Sequence, residues 1–236
     1  MPEKIERLID HALLHPTMTD DEIREGCNLA ARLNLVSVCV KPYAIPLAVE
    51  ILRGSNTAVG TVIGFPHGSQ PTEIKVAESI WALNAGAVEL DMVVNIGKVL
   101  QGDWVFVERD IRLVVEAAHR RNAIVKVIFE TDFITDEKTK RSLCKVSELA
   151  GADFVKTSTG FGFVKQKNGD YNYTGATPED IRLMRETCSE KVGVKASGGV
   201  RSYDQARKFQ QLGAARLGTS ASETILHGQG KDQSGY

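Results

Sequence analysis

Residues 152–161 read ADFVKTSTGF, a short apolar run that is interrupted by Lys156 and ends in small polar residues and a glycine. Such a run is typical of a buried strand that opens into a loop. A lysine is almost never fully buried unless it is paired or functional, because taking an ammonium out of water is costly. Either the Lys156 side chain reaches from its strand to the surface, or its amine is used for chemistry.

Seven further runs of the same kind lie along the chain, each short, apolar and rich in β-branched residues. Segments of helical period separate them, and this alternation predicts a parallel sheet with right-handed crossovers. The eight candidate strands are residues 8–11, 37–40, 59–65, 88–95, 124–130, 154–158, 194–197 and 215–218.

The intervening segments carry helix signals. Thr19 before DDE and Thr177 before Pro178 are typical N-caps. Residues 103–121 place apolar side chains at spacings of three and four, which predicts one long amphipathic helix. Eight strand–helix units in 236 residues close most economically as a (β/α)8 barrel. We therefore predict a single TIM-barrel domain over residues 1–236, with a flexible C-terminal tail at about 229–236.

A doubly wound open sheet is the structural alternative. No G-x-G-x-x-G follows the first candidate strand, which disfavours this alternative without excluding it.

Composition excludes several classes of protein. Net charge is −1 and no long basic run is present, which argues against nucleic acid or an anionic membrane as the main partner. The apolar runs are too short to span a bilayer and the N-terminus lacks a signal-peptide pattern, so we predict a cytoplasmic protein. Four scattered cysteines predict neither a disulfide framework nor a zinc site.

Polar residues gather at the predicted strand ends, where a barrel carries its active site. If Lys156 and Lys195 both point into the barrel, their repulsion and burial depress a pKa, and a neutral amine can form a Schiff base with a carbonyl. Alternatively, a lysine is a structural partner of Asp91 or Glu130. These strand ends include Asp91, Asn95, Lys126, Glu130, Lys156, Thr157, Thr159 and Lys195.

A second group of residues follows the last two candidate strands, in ASGGVRS at 196–202 and RLGTSAS at 216–222. Glycines let backbone N–H groups approach an anion, and hydroxyls at a helix start add donors. Barrels often bind phosphate between these two loops. The pattern predicts a phosphate ester as ligand.

Seven motifs, in order along the chain, resemble those of the deoxyribose-phosphate aldolases, a family of class I aldolases. They are IDHALL (9–14), FPHG (65–68), ELDMVVN (89–95), KVIFET (126–131), GADFVKTSTGF (151–161), GVKASGGVRS (193–202) and RLGTSAS (216–222). The resemblance implies a barrel enzyme that reversibly cleaves 2-deoxy-D-ribose 5-phosphate to D-glyceraldehyde 3-phosphate and acetaldehyde, in deoxyribose catabolism.

The resemblance also implies residue roles. Lys156 would form the Schiff base, Lys195 would be the ammonium that lowers its pKa, and Asp91 would serve the proton relay. Because a protonated imine is itself an electron sink, neither metal nor cofactor is expected. The C-terminal Tyr236 would be a mobile partner in the relay. Substrate and its phosphate would contact Thr157, Thr159, Gly160, Gly198, Gly199, Gly218, Thr219 and Ser220.

The chain departs from the family pattern at Ala12 and His15, where the family usually has Thr and Lys, and in the segment VKQKNGDYNY at 164–173. Asn168-Gly169 predicts a small hairpin there, which is either plain surface or a specificity element at the mouth of the site. Because barrels often associate through their outer helices, we also expect a homodimer or homotetramer.

Two other functions remain open. One is a class I aldolase for a different sugar phosphate. The other is a barrel that keeps only the phosphate site as a binding module, which the joint presence of Asp91, Lys156 and Lys195 disfavours.

Overall fold

A computed structural model describes residues 3–228 of the chain. Eight parallel strands form a closed barrel, in which the last strand pairs back onto the first. Two further short strands form a separate antiparallel hairpin. The predicted TIM-barrel fold is confirmed, and the open-sheet alternative is wrong because the sheet has no free edge.

Each of the eight candidate strands corresponds to one barrel strand. The barrel strands are β1 (Ile9–Leu13), β2 (Ser37–Val40), β3 (Ala58–Ile63), β4 (Glu89–Val93), β5 (Ile124–Ile128), β6 (Phe154–Lys156), β9 (Gly193–Ser197) and β10 (Arg216–Thr219), and the hairpin strands are β7 (Val164–Lys165) and β8 (Tyr171–Asn172).

Helices cover the outside of the barrel between the strands. They are α1 (Asp20–Arg32), α2 (Ile45–Ile51), α3 (Thr72–Asn84), α4 (Ile96–Gln101), α5 (Trp104–His119), α6 (Glu137–Leu149), α7 (Pro178–Thr187), α8 (Tyr203–Gln211) and α9 (Ser222–His227), with short 3₁₀ turns at Ile5–Leu8 and Pro42–Ala44. The two predicted caps are present: Thr19 and Thr177 accept hydrogen bonds from the backbone of α1 and α7.

Several strands end earlier than predicted, because the chain turns as soon as it leaves the barrel. Asn95 is the N-cap of α4, where its side chain accepts a hydrogen bond from the backbone of Lys98. Glu130 has a left-handed backbone with φ of 58°, which no strand can contain. Asn95 and Glu130, which were predicted as strand ends, therefore lie in the first turns of the loops above the barrel, whereas Asp91 and the three lysines lie within their strands.

Alternation along the strands separates the apolar core from the barrel interior. Val125, Val127, Val155 and Val194 are fully buried among the apolar residues of the surrounding helices. Because successive side chains point to opposite faces, the lysines between them point inward. The sequence thus places a charged cluster inside a ring of aliphatic side chains.

None of the helices within residues 3–228 has the length and apolar character that a bilayer span requires. The predicted tail at 229–236, including Tyr236, lies outside the described residues.

Candidate active site

Three lysines converge on one carboxylate inside the barrel. Asp91 on β4 accepts hydrogen bonds from Lys156 and Lys195 at its Oδ2 atom, each at 2.7 Å, and from Lys126 at Oδ1 at 2.8 Å. Register explains the meeting, since Lys156 and Lys195 are paired residues of β6 and β9, and Asp91 and Lys126 are paired residues of β4 and β5. All four side chains are buried.

Asp10 on β1 divides the lysines into two kinds. It binds the Lys195 ammonium directly, and its Oδ2 atom lies 3.4 Å from the Nζ atom of Lys126. Lys156 has only Asp91 as a carboxylate partner among the described residues. Lys156 and Lys195, which strand patterning alone did not distinguish, therefore differ in the number of carboxylates that bind their ammonium groups.

The pKa values follow from this division. Burial lowers the pKa of Lys156, and the Lys195 ammonium lowers it further, against the opposing pull of Asp91. Burial also disfavours charge on Lys195, but Asp10 and Asp91 outweigh it and raise the pKa of Lys195. Of the three lysines that meet Asp91, Lys156 is thus the one with a lowered pKa and the one from which a proton is most easily removed.

Arg216 and Glu89 complete the charged cluster. Arg216 donates to the Oδ1 atom of Asp10 at 2.5 Å and to the Oε1 atom of Glu89 at 2.9 Å, and Lys126 donates to the Oε2 atom of Glu89 at 2.6 Å. The cluster holds three carboxylates, three cations and Lys156. With Lys156 neutral the charges balance, which is the state that a low-dielectric interior favours. The carboxylates are Asp10, Glu89 and Asp91, and the cations are Lys126, Lys195 and Arg216.

Sequence reasoning placed neither Asp10, Glu89 nor Arg216 in the site. Their signal was available, since each is a charged residue within or at the start of a strand, where an unpaired charge is strongly disfavoured. What the sequence could not provide was the register that brings β1 and β10 against the lysines.

A cavity of about 800 Å³ opens above the charged cluster. Its floor includes Lys156 and Lys195, and one wall is formed by the loops after β6, β9 and β10. Most of the predicted substrate-binding residues line it, namely Thr159, Gly160, Gly198, Gly199, Gly218, Thr219 and Ser220.

The loops after β9 and β10 are bound to each other. Thr219 donates its hydroxyl hydrogen to the Val200 carbonyl at 2.7 Å and accepts one from the Ala221 N–H at 2.9 Å. Gly198 and Gly199 have φ of 90° and 75°, a left-handed pair that other residues rarely adopt. Two fixed loops with exposed backbone thus face the same part of the cavity.

Gly218 has a steric role in addition to its place in the wall. A Cβ atom there would lie 2.8 Å from the Cβ atom of Ser197 and 3.1 Å from the Cε atom of Lys195. The absence of a side chain on β10 therefore leaves room for the lysine that approaches Asp91.

Among the predicted site residues that lie within 3–228, two do not line this cavity. The Thr157 hydroxyl donates to the Ser197 carbonyl at 2.8 Å and accepts from the Ser197 N–H at 2.9 Å, so it joins β6 to β9 and its hydrogen-bonding capacity is used there. Asp91 is fully buried beneath the two lysines. Any proton that Asp91 relays must pass through Lys156 or Lys195.

Glu130 holds the loop after β6 from below. Its Oε2 atom accepts hydrogen bonds from the backbone N–H and the hydroxyl of Thr159, and a Cβ atom on Gly162 would lie 2.7 Å from its carboxyl carbon. Burial raises the pKa of Glu130. Of the two structural partners considered for a lysine, Asp91 is the one that the structure shows, since it accepts a hydrogen bond from Lys126, whereas Glu130 accepts from Thr159.

The segment 164–173 forms the predicted hairpin. Val164 pairs with Asn172 and Lys165 with Tyr171, and Gly169 in the turn has φ of 93°. Tyr173, which follows β8, reaches the cavity wall.

His11 on β1 also lines the cavity, with its Nδ1 atom 2.7 Å from the Ser222 hydroxyl of α9. Burial lowers the pKa of His11 to about 4 from the usual 6.5. The ring is therefore neutral at pH 7 and binds a proton far more readily in the unfolded chain.

Acidification should therefore destabilise the protein through His11. Between pH 7 and pH 5 the His11 ring binds a proton in the unfolded state but stays neutral in the folded state. The free energy of unfolding should therefore fall by about 2 kcal/mol more in the wild type than in His11→Asn. Urea unfolding at the two pH values measures this difference. The exposed His15 gives the matched control, and His15→Asn should keep the wild-type loss. Equal losses in the wild type and His11→Asn would contradict the assignment.

A buried amine of lowered pKa on the floor of a cavity in a parallel barrel is typical of an imine-forming barrel enzyme. The chain matches the model of the DeoC/LacD family aldolases over residues 5–220, and it belongs to that family.

Individual relatives cover nearly the whole chain. A deoxyribose-phosphate aldolase from Thermococcus gammatolerans is 46% identical over 226 residues, 95% of this chain and 96% of the relative. One from Bacillus cytotoxicus is 48% identical over 222 residues, 94% of each. The solved structure of the tetrameric deoxyribose phosphate aldolase from Aeropyrum pernix superposes with a TM-score of 0.85 at 31% identity, and the match covers 96% of this chain and 91% of that one.

Proposed function

We propose that this aldolase cleaves 2-deoxy-D-ribose 5-phosphate to D-glyceraldehyde 3-phosphate and acetaldehyde through an imine on Lys156. The observation that carries the assignment of the lysine is the asymmetry of the charged cluster, in which Lys195 has two carboxylate partners and Lys156 has one. The relatives from Thermococcus gammatolerans and Bacillus cytotoxicus are named deoxyribose-phosphate aldolases, which supports a deoxyribose phosphate as the substrate.

Imine formation begins with the neutral Lys156 amine. Its Nζ atom adds to the C1 aldehyde carbon of the open-chain sugar, and the resulting carbinolamine loses water to give a protonated imine. Lys195 stays charged because Asp10 and Asp91 hold its proton, so it can donate to the departing oxygen and disfavours proton return to Lys156.

Cleavage follows from the electron demand of the imine. A base removes the proton from the C3 hydroxyl, the C2–C3 bond breaks, and its electron pair forms an enamine with the imine nitrogen while D-glyceraldehyde 3-phosphate leaves. Protonation at C2 and addition of the water lost earlier release acetaldehyde and restore the lysine. Asp91, Lys195 and a water carry these protons. Because Asp91 lies beneath the lysines, its part in the relay runs through Lys195.

The phosphate is held by the loops after β9 and β10. Gly198 and Gly199 offer backbone N–H groups, and Thr219 and Ser220 lie on the opposing loop. Thr159 and Gly160 close the same wall from the loop after β6. Thr157 is left out of this set because its hydroxyl donates to and accepts from the backbone of Ser197.

Borohydride trapping tests the proposal. Reduction of the wild-type protein in the presence of acetaldehyde should add a stable ethyl group to Lys156, and with 2-deoxy-D-ribose 5-phosphate the reduced sugar should attach to the same residue. Peptide mass mapping locates the adduct. A protein modified on Lys195 or Lys126 alone, or not modified, would contradict the assignment of the nucleophile. Trapping with acetaldehyde but no cleavage of the sugar phosphate would contradict the substrate only.

Assembly as a homodimer or homotetramer belongs to the same proposal. It is supported by the tetrameric relative from Aeropyrum pernix. A cytoplasmic location and a proton-relay role for Tyr236 stay predictions from the sequence.

A further inference from the structure

The inserted hairpin is fixed against the active-site wall. After β8, the backbone N–H groups of Thr174 and Gly175 donate to the Asp132 carboxylate at 2.7 and 2.9 Å, and Ala176 N–H donates to the Gly198 carbonyl at 3.0 Å. At the base of the hairpin, the ring of Tyr173 packs on that of Phe163 with a centroid distance of 5.5 Å. The position of the Tyr173 side chain is therefore set by contacts on both sides of it.

These contacts place the Tyr173 hydroxyl beside the glycines that are proposed to bind the phosphate. A Cβ atom on Gly198 would lie 2.0 Å from the hydroxyl oxygen, one on Gly175 would lie 2.9 Å away and one on Gly160 would lie 4.0 Å away. Two of these glycines, Gly160 and Gly198, belong to the proposed substrate-binding set. The hydroxyl thus lies where the loops after β6 and β9 approach each other.

The Tyr173 hydroxyl is buried and has no hydrogen-bond partner among residues 3–228. A buried hydroxyl without a partner is costly, and native structures rarely keep one unless a ligand or water uses it. Burial, with Asp132 and Glu130 nearby, raises the pKa of Tyr173, so the group stays a protonated donor at neutral pH. Arg201, which also lines the cavity, adds positive charge on the same side.

We propose that Tyr173 is a phosphate-binding residue supplied by the inserted hairpin, and that its hydroxyl donates a hydrogen bond to the phosphate monoester held at Gly198 and Gly199. The ligand class follows from the geometry, because a neutral donor beside a pair of left-handed glycines is complementary to an anion with several acceptor oxygens. The identity of the sugar in this inference rests on the proposed function, whereas the role of Tyr173 in binding a phosphate does not.

The test compares a phosphorylated with an unphosphorylated substrate. Tyr173→Phe removes only the hydroxyl, and kcat/KM for 2-deoxy-D-ribose 5-phosphate should fall by about 10- to 100-fold, the worth of a hydrogen bond to a charged group. For unphosphorylated 2-deoxy-D-ribose, kcat/KM should stay at the wild-type value. Tyr171→Phe is the matched control on the same hairpin, since the Tyr171 side chain is 63% exposed, and both substrates should be unaffected.

Calorimetric titration with inorganic phosphate separates this inference from the proposed function. The dissociation constant should rise by about 10- to 100-fold in Tyr173→Phe and stay unchanged in Tyr171→Phe. If the wild type cleaves neither sugar but this difference is found, the proposed function fails and the inference stands. Equal losses with both sugars, no loss with either, or equal phosphate affinity in the wild type and Tyr173→Phe would overturn the inference.

Discussion

Replacing Lys156 with methionine should lower kcat for cleavage of 2-deoxy-D-ribose 5-phosphate by more than about 10⁴-fold, because the covalent route requires an amine at this position. The fold should survive the change. Asp91 keeps Lys126 and Lys195 as partners, and methionine fills a similar volume. The urea midpoint of Lys156→Met should therefore lie close to that of the wild type.

Lys156→Arg separates charge from nucleophilicity. A guanidinium retains a positive charge at every accessible pH and does not form an imine, so this variant should be as inactive as Lys156→Met. Single-turnover assays of both variants, with urea unfolding as the control for structure, measure the effect. Activity above about one hundredth of the wild-type rate in either variant would mean that the imine forms elsewhere.

The barrel could be predicted from the sequence because its signal is local and repeated. Most strands are short β-branched runs, several with Gly or Pro nearby, and many of the helices begin with a side-chain cap such as Thr19 or Thr177. Eight repetitions make the closed sheet the economical arrangement. The ends of the strands were less predictable, since apolar residues continue past the last ladder hydrogen bond, and a left-handed residue such as Glu130 carries no local signal of its conformation.

The site was predicted in part for a different reason. A lysine in a buried strand is unusual because burying an ammonium is costly. Lys126, Lys156 and Lys195 can therefore be recognised from the sequence as candidate site residues. The sequence does not say which carboxylate each lysine meets, because that depends on the register between strands far apart in the chain. Asp10 and Lys195 are separated by 185 residues, yet their contact decides which lysine keeps its proton.

Tyr173 is a candidate site residue that the sequence did not identify. The Asn-Gly turn predicted a hairpin, but a two-residue strand gives no indication of which side chain faces the cavity. The docking of Thr174 and Gly175 on Asp132, together with the packing of Tyr173 on Phe163, directs the tyrosine inward and leaves Tyr171 in solvent.

Lys126 is expected to hold the charged cluster together without taking part in the chemistry. Its ammonium binds Glu89 at 2.6 Å and Asp91 at 2.8 Å, and these carboxylates with Asp10 raise its pKa well above the usual value, outweighing its burial. It keeps its proton, so it cannot be the nucleophile at neutral pH. The main effect of removing Lys126 should therefore be a lower free energy of unfolding.

Replacing Lys126 with methionine leaves three buried carboxylates, Asp10, Glu89 and Asp91, against only two permanent cations. Breaking a buried ion pair from one side typically costs about 3–5 kcal/mol, and we expect Lys126→Met to lose that much free energy of unfolding in urea. Glu89→Gln alone should also destabilise the protein, because it leaves an excess of positive charge.

The double variant Lys126→Met, Glu89→Gln decides whether charge balance is the cause. It removes one charge of each sign, so its loss of stability should be smaller than the sum of the two single losses by about 0.5–3 kcal/mol. Strictly additive losses would show that Lys126 and Glu89 are not energetically coupled, and that charge balance between them is not the cause. In that case the argument that balance keeps Lys156 neutral would lose its support, even if Lys156 proves to be the residue that borohydride traps.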